Sequence, residues 1–75
     1  MTKPNQIIRP LDVVALTADL PAKSLLRGQV GTVVETLAPG VLEVEFRDDQ
    51  GRAYAQLALG ESRLLVLRYE PQRAP

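Results

Sequence analysis

Two alternating apolar runs joined by Pro39-Gly40 constrain this chain more than anything else in it. In RGQVGTVVETLAPGVLEVEF, Arg27 to Phe46, Val30, Thr32, Val34 and Thr36 share one parity, and Leu42, Val44 and Phe46 share another across the turn. This is the period of two of a half-buried strand, because successive side chains of an extended chain point to opposite faces. Glu35, Glu43 and Glu45 take the other face. An inside and an outside follow, but the stretch holds no nucleophile, metal cluster or phosphate loop.

The turn sets the register. A plain two-residue loop at Pro39-Gly40 pairs Val34 with Glu45 and puts a valine and a carboxylate on one face. A shift by one residue pairs Val34 with Val44, Thr32 with Phe46 and Glu35 with Glu43, so a bulge beside Gly40 is predicted. It leaves two carboxylates directly opposed outside, a mildly destabilising pair. Asp48-Asp49-Gln50-Gly51 is the next turn, with Gly51 suited to positive φ. A loop of Gln50-Gly51 sets Phe46 opposite Ala55, Val44 opposite Leu57 and Leu42 opposite Leu59 inside, with Asp49 opposite Arg52 and Arg47 opposite Tyr54 outside.

The remaining elements follow from the same signals. Leu11–Leu16 reads as the first strand, Gln29–Leu37 and Val41–Arg47 as the second and third, Arg52–Leu59 as the fourth and Leu64–Leu67 as the fifth. Leu20–Arg27 is a loop over one barrel mouth, anchored by Leu25 or Leu26, and Gly60-Glu61-Ser62 is a break with one turn of 3₁₀ helix. Gly31, in mid-strand, marks a bulge or a close backbone approach. Residues 1–10, with Pro4 and Pro10, form a flexible arm, 11–69 the domain and 70–75 a flexible tail. The expected fold is all-β, a small five-stranded SH3-like partly open barrel with no substantial helix. The runner-up, an OB-like barrel, wants longer strands and a helix.

At 75 residues the chain is one domain, and a domain of this size buries only roughly 60% of the surface its unfolded chain exposes. It has no cysteine for a disulfide and neither cysteine nor histidine for zinc, so Val, Leu, Ala and the single Phe must supply the core. Nine basic and nine acidic side chains cancel, removing the positive field on which non-specific binding to nucleic acid or anionic membrane depends. The first ten residues lack the apolar segment of a secretory signal, and no run approaches the roughly 20 apolar residues of a membrane span. The expected compartment is the cytoplasm, with no cofactor and no metal.

The ordered set DVVAL (Asp12–Leu16), DLP (Asp19–Pro21), RGQVGTVVE (Arg27–Glu35), PG (Pro39-Gly40), EVEF (Glu43–Phe46), D-x-x-G (Asp48–Gly51) and AYAQLAL (Ala53–Leu59) resembles the small bacterial family catalogued as domain of unknown function 4926. The likeness covers Leu11 to Leu67. It implies an SH3-like fold and a bacterial, often cyanobacterial, origin, and no activity. It also implies an accessory or antitoxin-like relation to a neighbouring small gene product. A weaker similarity links Gly28–Phe46 to the KOW motif of ribosomal and transcription-elongation proteins, from which Glu35, Glu43 and Glu45 depart in charge.

Tyr54, flanked on the expected outer face by Arg47 and Gln56, is the leading candidate for a binding residue, since tyrosine beside arginine is common at interfaces. Alternatively the two form a cross-strand cation–π pair that binds nothing. The expected protein-binding face is Val33, Glu35, Glu43, Glu45, Arg47 and Tyr54, suited to a basic partner. Glu43 and Glu45 lie on one strand without a pocket, which argues against acid–base or cation chemistry. Ser24 and Ser62 have no histidine to activate them, so no catalytic residue is assigned. Proline-rich peptides want an aromatic groove, which two Tyr and one Phe do not build. The leading expectation is therefore a non-enzymatic protein-interaction module. The alternative is a KOW-like nucleic-acid or ribonucleoprotein accessory using Arg63, Arg68 and Arg73. Self-association through the edge strand Leu64–Leu67 is a further route.

Overall fold

The computed structural model describes residues 7–69 and 71; the arm before residue 7 and the tail at 70 and 72–75, Arg73 included, lie outside the described residues. Five strands form one antiparallel sheet: β1 (Val13–Leu16), β2 (Val30–Ala38), β3 (Val41–Arg47), β4 (Ala53–Gly60) and β5 (Leu64–Val66). Their order is β4-β3-β2-β1-β5, so the sheet curls without β4 and β5 pairing and the barrel is partly open. Among the described residues there is no α-helix, only 3₁₀ turns at Pro21–Lys23 and Glu61–Arg63.

Among the described residues nine side chains make the core: Val14, Leu16, Leu25, Val33, Leu42, Val44, Phe46, Leu59 and Leu64. Each is worth about 1.5–3 kcal/mol relative to exposure. Ile8 packs against their edge, and Arg9–Asp12 closes a turn in which the Asp12 amide donates to the Arg9 carbonyl (3.1 Å). The loop after β1 is anchored by Leu25, not Leu26: Leu25 is buried, Leu26 is exposed, and Leu20 and Leu25 exchange backbone hydrogen bonds of 2.8 and 3.2 Å.

The β2–β3 hairpin carries two bulges where one was expected. Ala38 pairs with Val41 around Pro39-Gly40, a first shift at Leu37 gives Thr36–Leu42 and Glu35–Glu43, and a second at Val34 gives Val33–Val44 and Gly31–Phe46. The second shift reverses the parity of everything before it. Gly31 and Val33 therefore face the core, whereas Val30 and Val34, expected inside, are 46% and 43% exposed.

The physical reason lies at Gly31. A Cβ there would stand 2.7 Å from Val44 Cγ1, 2.9 Å from the Glu45 carbonyl oxygen and 3.0 Å from Phe46 Cδ2. Val44, the Glu45 carbonyl and Phe46 together fill the space that a side chain at Gly31 would take. A pattern reading credits V-T-V and skips the glycine, although the glycine is what lets the strands close over Phe46.

β3 and β4 pair inside as expected, Phe46–Ala55, Val44–Leu57 and Leu42–Leu59. Outside they differ. A shift after Phe46 leaves Tyr54 as the extra residue and pairs Arg47 with Ala53. The connecting loop closes on Asp48 and Arg52 rather than Asp49 and Arg52: the Asp48 amide donates to the Arg52 carbonyl (2.9 Å), and Asp48 Oδ1 accepts the Gln50 and Arg52 amides, both at 2.9 Å. Gly51 supplies the positive φ of +80°.

Candidate interaction face

Of the six expected binding residues, Glu35, Glu43, Glu45 and Arg47 gather on the outer face of β2–β3–β4, Val33 is buried, and Tyr54 is half exposed but no longer opposite Arg47. Glu35 opposes Glu43 across the hairpin, Glu43 Oε2 accepts from Gln56 Nε2 at 2.7 Å, and Arg47 Nε donates to Glu45 Oε1 at 2.7 Å. Val33 is 0% exposed, because the second bulge turns it into the core, so it is no part of any surface. Tyr54 is not Arg47's partner. Its ring lies 6.4 Å from that of Phe46, tilted by 44°, and its hydroxyl accepts from Gln29 Nε2 at 3.0 Å. The bulge at Tyr54 removes it from the Arg47 position, and Arg47 turns to Glu45.

A second outward surface, which the period-two reading missed, lies on β2–β1–β5. Val14 and Leu16 of β1 point inward, so Val13 and Ala15 point out. Ala15 pairs with Val30 on one side and Leu65 on the other; Val13 pairs with Thr32, and its carbonyl accepts the Leu67 amide at 2.9 Å. Val30 and Leu65 are about half exposed. Across three strands the outer side is therefore apolar apart from Thr32.

The signal was in the sequence as VVAL and LLVL, unbroken apolar runs of the kind strands show when both faces are covered. At the Ala15 end this face opens into a pocket of about 400 Å³ lined by Ala15, Leu16, Thr17, Arg27, Gly28 and Leu65. Arg27 is the only charged residue of that lining. At the other end of β1 stands Leu11, 81% exposed and held at φ +76°, a backbone region that bulky L residues rarely occupy. It follows Pro10 in the Arg9–Asp12 turn, at the position where a type II turn demands positive φ. Its amide donates to the Val33 carbonyl at 2.8 Å, and the Arg9 amide donates to Asp12 Oδ2 at 2.9 Å.

Among the described residues no polar or charged side chain is buried, and no three His, Cys, Asp or Glu side chains lie close enough to hold a metal ion. None of their helices is long and apolar enough to cross a membrane. What the fold presents is an all-β, partly open barrel with one outward apolar sheet face and one acidic face beside it. The profile of Domain of unknown function (DUF4926) matches residues 11–66, and the chain belongs to that family. Neither the curated proteins nor the solved structures contain a match to it.

Proposed function

We propose that this chain is a non-enzymatic protein-interaction module of SH3-like type that works through the outward face of β2–β1–β5. The observation that carries the reading is that face: Val13, Ala15, Val30 and Leu65 are apolar residues on the solvent side of a small barrel, where a strand covered on one face alternates with polar residues. The SH3-like description is supported by β1 bridging β2 and β5, by the long loop after β1 and by the 3₁₀ turn that leads into β5. A binding rather than catalytic role is supported by a chain without histidine or cysteine, whose described carboxylates all lie outside the core.

The test is affinity capture with the tagged chain and its Leu65→Glu variant, each half treated with nuclease. One protein retained in fixed stoichiometry after nuclease, and lost with Leu65→Glu, supports the module. Retention of nucleic-acid-associated proteins that nuclease abolishes, equal in both chains, overturns it in favour of a KOW-like accessory using Arg63 and Arg68.

A further inference from the structure

We propose that the occupant of the apolar face is a second copy of this chain, docked about a twofold axis so that each Leu11 enters the other's pocket beside Ala15 and Leu65. The inference rests on the interaction reading and names its partner. In a twofold interface every feature on one side of the axis meets its counterpart from the other side, so a face that pairs with itself must carry knob and hole, and cation and anion, at opposite ends. This face does. Along β1 the pocket and Arg27 lie at one end, and Leu11 at the other. Along β2, Arg27 precedes the strand at that same pocket end, and Glu35 stands toward the far end, opposite Glu43.

Rotation about an axis lying across the strands through Val13–Ala15 sets Leu11 over the pocket and Arg27 over Glu35, and does so twice. It also brings a cation to the Glu35–Glu43 pair, which no basic side chain of its own barrel neutralises in a described ion pair. The positive φ at Leu11 supports the knob, since strained backbone that exposes a bulky apolar side chain is characteristic of ligand-contacting positions.

Charge favours a second copy over a foreign protein. Arg27 stands at the pocket end and Glu35 toward the other, so two copies in the twofold arrangement complement each other in charge. A standard interface takes about 800 Å² from each partner. Three strands about 4.8 Å apart, with β1 of four residues and β5 of three at about 3.3 Å per residue, present only about 150–190 Å² of flat area. The two ends must therefore join the contact, which is what the twofold placement achieves.

The test is sedimentation equilibrium of the full chain at about 100 µM, well above a micromolar dissociation constant. The expected mass is twice the 8.2 kDa of the chain. Leu11→Gly and Leu65→Glu are each expected to weaken the dimer at least tenfold. Leu11→Gly keeps an unfolding midpoint, measured on dilute protein, no lower than that of the parent, because glycine accepts the positive φ. Arg27→Glu alone and Glu35→Arg alone place like charges across the axis and weaken self-association. Mixing those two variants restores opposite charges at both contacts and regains the dimer.

A monomeric parent at this concentration, an intact dimer in both Leu11→Gly and Leu65→Glu, or a mixture no tighter than its components overturns the twofold pairing. A monomeric parent that still holds a foreign protein, lost on Leu65→Glu, overturns the second copy and leaves the interaction reading standing. A monomeric parent that holds nothing through this face overturns both.

Discussion

Gly31→Ala tests the packing account most sharply, because one methyl must enter a space that three atoms already occupy. The new Cβ would lie 2.7 Å from Val44 Cγ1 and 2.9 Å from the Glu45 carbonyl oxygen. Ordinary carbon contacts settle at about 3.5–4.0 Å, so the strands must separate by most of an ångström or Val44 and Phe46 must leave their rotamers. Overpacking of this kind costs about 1–3 kcal/mol. The restricted unfolded chain of the alanine variant offsets about 0.4–1 kcal/mol of it. The net loss is about 1–2 kcal/mol, from a total of about 4–11 kcal/mol expected for 75 residues.

At roughly 4–8 °C per kcal/mol, the midpoint of thermal unfolding followed by far-UV circular dichroism should fall by about 4–16 °C. Gly60→Ala is the control: Gly60 sits at φ −69° and ψ 147°, and its nearest neighbours lie 4.0 Å from a built Cβ. That variant should gain about 0.4–1 kcal/mol from the unfolded state alone. Gly31→Ala as stable as the parent, or Gly60→Ala falling as far as Gly31→Ala, refutes the assignment of Gly31 as a space that Val44, the Glu45 carbonyl and Phe46 close.

Phe46→Ala removes the largest buried side chain, with an expected cost of about 3–5 kcal/mol read as a lower midpoint in urea titrations. Asp48→Ala frees two amides of the β3–β4 turn and should cost about 1–2 kcal/mol by the same titration, with an unchanged denaturant slope. Glu35→Gln relieves the like-charge pair with Glu43 and, measured on protein dilute enough to be monomeric, should raise stability by about 0.2–1 kcal/mol at low salt, an effect that shrinks in 1 M salt. Tyr54→Phe loses only the half-exposed hydrogen bond from Gln29, so it should cost less than about 1 kcal/mol and leave self-association measured by sedimentation unaltered.

β3 was legible to the residue, and so were the three inner pairs from β3 to β4, because Leu42, Val44 and Phe46 alternate strictly with Glu43, Glu45 and Arg47. β2 was legible as a strand but not in its facing. Its inner positions are Gly31 and Val33, and a glycine contributes nothing to an apolar count even where its missing side chain is the packing requirement. The like-charge Glu35–Glu43 pair was found because it lies between the two bulges, where a single shift is still correct.

The candidate site was less legible. Bulges at Val34 and Tyr54 move one residue each, which sends Val33 inward and separates Tyr54 from Arg47, and neither bulge has a sequence mark of its own. The apolar outer face was visible in VVAL and LLVL, but an unbroken apolar run says only that both faces are covered and not by what. Its extent across three strands needs the pairing of Ala15 with both Val30 and Leu65.

The most direct measurement on the central claim is a dilution series of backbone-amide NMR spectra of the parent chain from about 500 µM to about 5 µM, a range that brackets micromolar self-association. The account predicts shifts that change with concentration at Leu11, Val13, Ala15, Arg27, Val30 and Leu65, with Gly51, Arg52 and Ala53 of the distant β3–β4 turn unmoved. Spectra that are superimposable throughout, or changes confined to β4, contradict it.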